Sequence, residues 1–414
     1  MTPGDTKIVY VSREIERTLG IEPNPAYLVV SNKTTFGESI KKSYPDFVTL
    51  IESPKKELLG TTDLLQRPET SQIVAANSPA AIIVFKNTLR VESAAKSLNC
   101  KLLNPNSALS ERVENKLSQV RWLGPLATKY LPPHVLKVAR YITWKNSEPF
   151  IIQWGHGHTG DGTMLIRNPD ELRALQEKFP DRMARLTTYI SGPSFTVNVV
   201  VHADRILIGN PSYQITGLQP FTDGAFNTVG NDWELAGKFL SEDDRRYLSA
   251  MAEEIGLKLQ TEGWRGFFGI DVVRDDVRGR LYLIEVNARQ PASAVFESSL
   301  QEDRRAQGLK GITVFEAHLR ALQGLPIDQD LIEIETGAQI IQRVTHNVQS
   351  MFDDVGDSLM KMGYKVIAYQ NTDHNADLLR IQSAKGIMES HGSFNATGRE
   401  IADVIKSSHF KIEV

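Results

Sequence analysis

Two neighbouring stretches of sequence decide the fold of this chain: Gly266-Phe267-Phe268-Gly269-Ile270-Asp271-Val272-Val273-Arg274 and Leu281-Tyr282-Leu283-Ile284-Glu285-Val286-Asn287-Ala288-Arg289. A short polar loop separates these two apolar runs, and the pattern predicts an antiparallel β-hairpin. If the loop is centred on Arg278, Asp271 lies directly opposite Glu285. Asn287 shares the face of Glu285, because side chains alternate between the two faces of a strand.

Three side chains with oxygen ligands are therefore expected to converge on one face of the hairpin. Two carboxylates directly opposite each other repel, and a charge within an apolar run is costly unless it is paired or bound to a metal. A hard divalent cation removes that cost, and Mg²⁺ binds a few carboxylates together with substrate phosphates. A solvated strand edge that happens to carry acids is the alternative. The pattern favours a metal–nucleotide site.

The same hairpin resembles the signature of the ATP-grasp superfamily, a Gly-rich strand with an acidic residue followed by Glu-x-Asn-x-Arg on the next strand. Residues 285–289 are similar to the form found in carbamoyl-phosphate synthetase and biotin carboxylase. The resemblance implies that Asp271, Glu285 and Asn287 hold Mg²⁺, or Mn²⁺ in its place, between the phosphates of ATP. It also implies that Arg289 faces the transferred phosphate or an acyl-phosphate intermediate.

Composition narrows the class of protein. The chain has 414 residues, of which 41% are hydrophobic and 23% are charged, so we expect a soluble protein of two to four domains. A net charge of −3 predicts no general nucleic-acid surface, and the single Cys100 excludes an internal disulfide. We see no secretory signal and no apolar run of about 18 residues. A cytoplasmic enzyme without a membrane partner is the expectation.

Residues 1–110 are predicted to form a parallel α/β domain, because short Val- and Ile-rich strands alternate there with helical segments. The predicted strands are 7–11, 27–30, 47–51, 81–85 and 101–103, with helices at 70–76 and 89–98. No Gly-rich turn follows the first strand, so we predict no dinucleotide site. The region resembles the pre-grasp domain of ATP-grasp enzymes, which often contributes to the substrate site.

A glycine-rich loop follows the predicted strand 150–154: Gly155-His156-Gly157-His158-Thr159-Gly160-Asp161-Gly162. It contains Gly-x-Gly-x-x-Gly, but a strand at 163–166 follows instead of a helix, which excludes the Rossmann interpretation. The order of strand, loop, strand and helix resembles the phosphate-covering loop of ATP-grasp proteins. Glycines let backbone N–H groups approach phosphate and let the loop close. A plain hairpin turn is the alternative, although four glycines exceed its needs.

Positions 153 and 116 are where the resemblance places positively charged side chains that contact the ATP phosphates. Many relatives have a Lys on the strand before the loop, where this chain has Gln153, which can donate a hydrogen bond but carries no charge. Either His156 or His158 serves as a substitute cation, or the affinity for phosphate is reduced. Metal binding by the two histidines is a further alternative. The segment around Lys116 resembles the helix start whose Lys reaches an ATP phosphate. A surface lysine is the alternative there.

Residues 186–201 resemble the hinge between the two halves of the grasp. The resemblance implies that the backbone around Thr188 and Ile190, with Tyr189 between them, hydrogen-bonds adenine. Thr187 stands where a ribose-binding carboxylate is usual, and Ser194 replaces a second acidic residue. These departures keep a degenerate, non-catalytic member of the superfamily as an alternative.

Candidate substrate contacts lie in two polar segments. The loops that follow the hinge include Tyr213 and Gln214, and polar loops in large domains often carry substrate contacts. Ser293 lies among small residues after Arg289 that resemble the family's loop near the acyl acceptor. Structural turns are the alternative for the first segment.

The sequence thus predicts an α/β fold, of α+β type within the grasp. Its predicted parts are a pre-grasp domain at 1–110, a small lid subdomain at 111–190, a large subdomain with the metal site at 191–330, and a small C-terminal α/β domain at 331–414.

The resemblance implies an ADP-forming carboxylate–amine ligase that joins small molecules, with an amino acid or peptide-like substrate, through an acyl phosphate. Phosphotransfer to a hydroxyl, carboxylation with bicarbonate, and a non-enzymatic nucleotide sensor are the alternatives. A homodimer is left open.

Overall fold

A five-stranded parallel sheet forms the N-terminal part of the computed structural model, which describes residues 6–54, 57–144, 148–155, 162–348, 353–369 and 371–408. Its strands are β1 (Lys7–Ser12), β2 (Tyr27–Asn32), β3 (Val48–Ile51), β4 (Ala80–Val84) and β5 (Lys101–Leu102). Its helices are α1 (Thr35–Ser43), α2 (Thr61–Leu65), α3 (Pro68–Ala76), α4 (Leu89–Ser97) and α5 (Ser107–Glu114). The strand order is β3-β2-β1-β4-β5.

The central strand β1 is covered on both faces. Ile8 and Tyr10 pack into one apolar cluster, whereas Val9 and Val11 pack into another, as alternation along a strand requires. A continuous apolar run is typical of a parallel strand between two layers of helices. The predicted parallel α/β unit is confirmed.

A four-stranded antiparallel sheet follows and carries the glycine-rich loop. Its elements are α6 (Lys116–Leu123), α7 (Pro125–Tyr130), β6 (His134–Val138), β7 (Phe150–Gln153), β8 (Thr163–Ile166), α8 (Pro169–Lys178) and β9 (Met183–Thr188). The strand order is β6-β9-β7-β8. The loop connects β7 to β8, which pair antiparallel from Phe150 opposite Ile166 to Gln153 opposite Thr163. Asn168 caps α8 by accepting a hydrogen bond from the backbone of Glu171.

A nine-stranded sheet forms the largest layer. Its elements up to residue 323 are β10 (Ser194–Val201), β11 (Ile206–Ile208), β12 (Ser212–Thr216), β13 (Thr228–Asp232), α9 (Trp233–Phe239), α10 (Glu242–Thr261), β14 (Gly266–Arg274), β15 (Leu281–Asn287), α11 (Ala294–Ala306) and α12 (Val314–Gln323). Strand β10 pairs with β14 along its whole length. Val197 and Val199 pack with α10 on one face, and Val200 packs with α12 on the other. Helices therefore cover both faces of β10.

The β14–β15 hairpin contains a bulge that sets the register of its acidic residues. Next to the loop, Val272 lies opposite Leu283, but Asp271 lies opposite Glu285. The extra residue on β15 is therefore Ile284. The predicted pairing of Asp271 with Glu285 is confirmed, and a bulge that the sequence pattern did not indicate produces it.

The C-terminal strands extend the large sheet. Their segment comprises β16 (Ala338–Arg343), α13 (Asp353–Lys361), β17 (Lys365–Ala368), β18 (Asp377–Ser383), β19 (Met388–Ser390), β20 (Ser393–Phe394) and α14 (Ala396–Ser408). Strand β16 pairs with β13, and the sheet order is β15-β14-β10-β12-β13-β16-β18-β17, with β11 on β10. The predicted domain boundaries stay predictions, but this segment shares a sheet with the grasp.

In the described part of the chain, no helix combines the length and apolarity needed to cross a membrane.

Gly192 lies in the connection between the small and large sheets, packed against the backbone of Arg274. We expect any side chain at this position to destabilise the fold. Its φ is +149°, and a Cβ would lie 1.9 Å from the carbonyl oxygen of Arg274. Gly263 also has positive φ (+84°), but no heavy atom lies within 4 Å of its Cβ position. Gly192→Ala should lower the free energy of unfolding by about 3–4 kcal/mol, and Gly263→Ala by about 1–2 kcal/mol. Urea unfolding measures both, and equal losses would contradict the steric argument.

Candidate active site

Asp271 is the most closely held side chain of the hairpin. Its Oδ1 accepts hydrogen bonds from Thr196 Oγ1 and Gln214 Nε2, both at 2.7 Å, and its Oδ2 accepts one from Asn287 Nδ2 at 2.9 Å. Thr196 lies on β10 and Gln214 on β12, so three neighbouring strands fix one carboxylate. Sequence reasoning missed Thr196, although its even spacing from Ser194 and Asn198 on β10 places all three on one face.

Glu285 lies opposite Asp271 and pairs with a cation from another element. Lys116 Nζ lies 2.6 Å from Glu285 Oε2, and the Lys116 side chain is only 7% exposed. Burial and the neighbouring Glu285 charge raise the pKa of Asp271 to about 6. The two carboxylates and Lys116 therefore form a site whose negative charge is only partly balanced, which is suited to binding a cation.

Arg289 is held beside this site by an acidic residue from α5. Arg289 Nη1 donates to Glu114 Oε1, and Lys86 Nζ lies 2.5 Å from Glu114 Oε2. Although burial acts to raise it, Arg289 and Lys86 together hold the pKa of Glu114 below its ordinary value. Sequence reasoning missed Glu114 and Lys86. Glu114 directly precedes Asn115 and Lys116 in sequence, but Lys86 lacks a comparable sequence signal.

Gln153 is the partner of a buried arginine on the adjacent strand. Arg185 Nε and Nη2 donate to Gln153 Oε1 at 2.9 and 2.6 Å, and Arg185 Nη1 donates to Gln119 Oε1 at 3.1 Å. Arg185 Nη2 also donates to the carbonyl oxygen of Ile284, the bulge residue, at 2.9 Å. The side chain is fully buried, and burial lowers its pKa to about 10. A cation therefore does lie at Gln153, and it comes from β9.

The glycine-rich loop begins against the helix start that carries Lys116. The carbonyl oxygen of Gly155 accepts a hydrogen bond from the backbone N–H of Lys116 at 3.0 Å, and that of Gly162 accepts one from Trp154 at 3.0 Å. A Cβ on Gly155 would lie 3.0 Å from the Asn115 amide nitrogen. The predicted loop residues His156, Gly157, His158 and Gly160 lie outside the described residues. Gly155 therefore places the start of the loop beside Lys116.

The predicted hinge residues lie between the small and large sheets. β9 ends at Thr188 and β10 begins at Ser194, so Tyr189 and Ile190 lie in the connection. The Thr188 N–H donates to the carbonyl oxygen of Pro133 at 3.0 Å, and Thr187 is buried within the small sheet. The position matches a hinge, and contacts of these residues with a nucleotide stay predictions.

The three candidate substrate residues lie in different surroundings. Gln214 contacts Asp271, as described above. Tyr213, its neighbour on β12, faces away into the core, where its hydroxyl contacts His391 Nδ1 at 2.9 Å and accepts from the Gly392 N–H at 3.2 Å. Ser293 is buried and donates to Asn198 Oδ1 at 3.0 Å. Substrate roles for Tyr213 and Ser293 stay predictions, and Gln214 is best placed to act at the carboxylate pair.

The buried contact of Arg185 with Gln153 predicts that a lysine at position 153 is harmful. In Gln153→Lys, an ammonium group would replace the oxygen that accepts two guanidinium hydrogen bonds, at a site with little solvent. We expect the free energy of unfolding to fall by on the order of 3 kcal/mol. Gln153→Met removes the acceptor without adding charge and should cost about half as much. Urea unfolding separates the two variants, and a lysine variant as stable as the wild type would contradict this interpretation.

The raised pKa of Asp271 predicts that this residue destabilises the unliganded protein above pH 6. Between its ordinary value of 3.8 and about 6, the folded state binds more protons than the unfolded state, so the contribution of Asp271 to stability falls as pH rises. In metal-free buffer, Asp271→Asn should be more stable than the wild type at pH 8, by on the order of 2 kcal/mol. The difference should shrink at pH 5.

Asp276→Asn is the matched control for this comparison, because Asp276 is exposed on the same hairpin. Comparing each variant with the wild type at each pH cancels the contribution of Glu297, whose pKa burial raises to about 7. An Asp271→Asn variant that is equally or less stable than the wild type at pH 8 would show that the carboxylate is not strained.

Comparisons with known proteins agree with this geometry. Residues 113–293 match the ATP-grasp domain family, and none of the curated proteins matches the chain. Among solved structures, the chain resembles N5-carboxyaminoimidazole synthase from Aspergillus clavatus in complex with ADP and 5-aminoimidazole ribonucleotide (13% identity, 98% of this chain and 99% of that chain, TM-score 0.63). It also resembles biotin carboxylase from Campylobacter jejuni (15%, 92% and 87%, TM-score 0.65) and L-amino acid ligase from Bacillus licheniformis (13%, 97% and 97%, TM-score 0.60). The paired carboxylates on β14 and β15 lie within the segment that matches the ATP-grasp domain family, and the chain shares its fold with these solved structures.

Proposed function

We propose that this protein is an ADP-forming ligase that joins the carboxylate of one small molecule to the amine of another. The observation that carries the proposal is the pair Asp271 and Glu285, which lie opposite each other on one sheet face beside Asn287 and within reach of Lys116. ATP or ADP is named with several of the solved structures that share the fold, and one of them is an L-amino acid ligase. An amino acid is therefore the first substrate class to test.

The donor set of the hairpin fits Mg²⁺. Asp271, Glu285 and Asn287 offer oxygen ligands only, and the two carboxylates have an unfavourable arrangement that a cation would relieve. When bound, Mg²⁺ would supply positive charge that offsets the negative charge developing during phosphoryl transfer. The Asn287 amide, which now donates to Asp271, would turn its oxygen towards the cation.

The remaining residues of the site account for binding and orientation. Lys116 is paired with Glu285, and a cation on Glu285 would free the ammonium group for phosphate oxygens. Glu114 fixes the Arg289 guanidinium, so Arg289 is ready to neutralise the transferred phosphoryl group without reorganisation. The loop at 155–162 would cover the phosphates and exclude water, which otherwise hydrolyses an acyl phosphate.

The proposed reaction has two steps. A substrate carboxylate oxygen attacks the γ-phosphorus, and ADP leaves. The nitrogen of the neutral amine then attacks the acyl carbon and the C–O bond to phosphate breaks, so that an amide or peptide bond forms and inorganic phosphate leaves with the proton that the nitrogen loses. In both steps the protein acts mainly by positioning and by charge stabilisation.

Carboxylation is the second candidate, because the solved structures of similar fold include a biotin carboxylase. In that case bicarbonate would replace the organic acid as the acceptor of the phosphoryl group. A nucleotide sensor without turnover is the third candidate, and the departures at Gln153, Thr187 and Ser194 support it. The three candidates differ in the co-substrates that ATP consumption requires: an organic acid with an amine, bicarbonate, or none because ATP is not consumed.

The test is ADP release from Mg-ATP in the presence of pooled carboxylic acids and amino acids. We expect release to require both an acid and an amine, and to fall at least about 10³-fold in the double variant Asp271→Asn/Glu285→Gln, because the charges that hold the metal are lost. Asp276→Asn is the control and should retain wild-type turnover. Release with bicarbonate and an amine alone would indicate carboxylation. Wild-type turnover in the double variant would refute the proposed site.

A further inference from the structure

Outside the hairpin, three potential metal ligands meet at the exposed ends of three loops. Asp223 lies in the loop between β12 and β13, His346 follows β16, and His374 lies between β17 and β18. One ligand atom from each residue lies within 4.8 Å of the other two, and no other such group occurs among the described residues. The His346 and His374 rings are 4.8 Å apart at 57°. These residues, the Asp223–His346–His374 cluster, are far apart in sequence.

The buried Arg343 connects the loops that carry the cluster through hydrogen bonds. Arg343 Nη1 donates to the carbonyl oxygen of Asn375 at 2.9 Å and to Asp377 Oδ1 at 3.1 Å, and its Nη2 donates to the carbonyl oxygen of Thr228 at 2.9 Å. One guanidinium therefore connects the bases of all three loops. Asn227 Nδ2 also donates to Asn375 Oδ1 at 2.8 Å. The backbone that presents the ligands is fixed by these contacts, which distinguishes the cluster from a chance encounter of mobile side chains.

The ligands themselves are accessible and oriented. Asp223 Oδ2 accepts from the backbone N–H of His346 at 2.8 Å and contacts His346 Nδ1 at 2.7 Å. The His346 side chain is 80% exposed, whereas that of Asp223 is 25% exposed. Both of these contacts with His346 use Oδ2, so Asp223 Oδ1 can serve as a ligand.

We propose that Asp223, His346 and His374 form a second metal site, which binds a divalent transition metal such as Zn²⁺ and is separate from the oxygen-ligand site of the hairpin. Two imidazoles and one carboxylate suit Zn²⁺, Ni²⁺ or Cu²⁺, whereas Mg²⁺ prefers oxygen ligands alone. In tetrahedral coordination the ligand atoms are roughly 3.4 Å apart, given metal–ligand bonds of about 2.0–2.1 Å. Side-chain rotations that move the ligand atoms by about 1 Å would bring the three residues to that spacing. A water molecule would then take the fourth coordination position of the metal.

A metal at this site would connect the C-terminal strands to the loop after β12. That strand also supplies Gln214, which contacts Asp271. The metal would therefore lie at the protein surface. It would crosslink the loop that carries Asp223 to the C-terminal loops, which are more than 100 residues away in sequence. Its binding does not depend on the proposed ligase activity, so the two proposals can fail separately.

The experiment is a titration of tag-free full-length protein with Co²⁺, followed by visible absorption, and with Zn²⁺, followed by calorimetry, both in excess Mg²⁺. The wild type should bind one equivalent with a spectrum of nitrogen and oxygen ligation. His346→Asn/His374→Asn should weaken binding at least about tenfold, and Asp223→Asn should weaken it to a smaller extent. Zn²⁺ should raise the thermal midpoint of the wild type but not that of the double variant.

Two control variants make the result specific. His134→Asn removes a histidine of the small sheet that is outside the cluster, and His156→Asn/His158→Asn removes the closely spaced pair in the glycine-rich loop. Both should retain the bound equivalent. Failure of the wild type to bind, unchanged binding in His346→Asn/His374→Asn, or loss of binding in the loop variant would each overturn the proposal.

Discussion

The opposition of two carboxylates across one β-hairpin is the constraint on which the rest of the site depends. Asp271 and Glu285 face each other because the bulge at Ile284 shifts the register by one residue. Without that shift, the alternation of side chains would put Glu285 on the wrong face. The carbonyl oxygen of the bulge residue accepts a hydrogen bond from Arg185 on the small sheet. The register of the large sheet and the position of the small sheet are therefore connected through one backbone group.

The cations near the carboxylates come from separate parts of the chain. Lys116 begins α6, Arg289 follows β15, Lys86 follows β4, and Arg185 lies in β9. Each is held by a defined partner, so the positive charges are in place before any ligand binds. Such fixed charges stabilise developing negative charge without the cost of reorganising solvent. The site thus joins elements of the parallel sheet, the four-stranded sheet and the nine-stranded sheet into one electrostatic unit.

The C-terminal segment belongs to the same structural unit because β16 pairs directly with β13. Arg343 extends this connection to the loops at the ends of these strands, where Asp223, His346 and His374 meet. The two clusters differ in ligand chemistry, since one offers only oxygen and the other offers mainly imidazole nitrogen. This difference would allow each cluster to select its own class of cation even when both are present.

The sequence by itself determined the features that rest on local periodicity. The parallel N-terminal sheet, the capped start of α8 and the shared face of Glu285 and Asn287 follow from alternation and capping over a few residues, whereas the bulge at Ile284 brings Asp271 onto that face. The resemblance of the hairpin and the glycine-rich loop to ATP-grasp signatures pointed to the domain family that residues 113–293 match, since both signatures are short and contiguous.

Only the tertiary structure decided which distant residues complete the site. Arg185 with Gln153, Glu114 with Arg289, and Thr196 with Asp271 are separated by 32, 175 and 75 positions, and no local pattern specifies such contacts. The Asp223–His346–His374 cluster is the extreme case, because three unremarkable loops meet only when the C-terminal strands join the large sheet. Sheet order and register fix these meetings, and they depend on the packing of the whole chain.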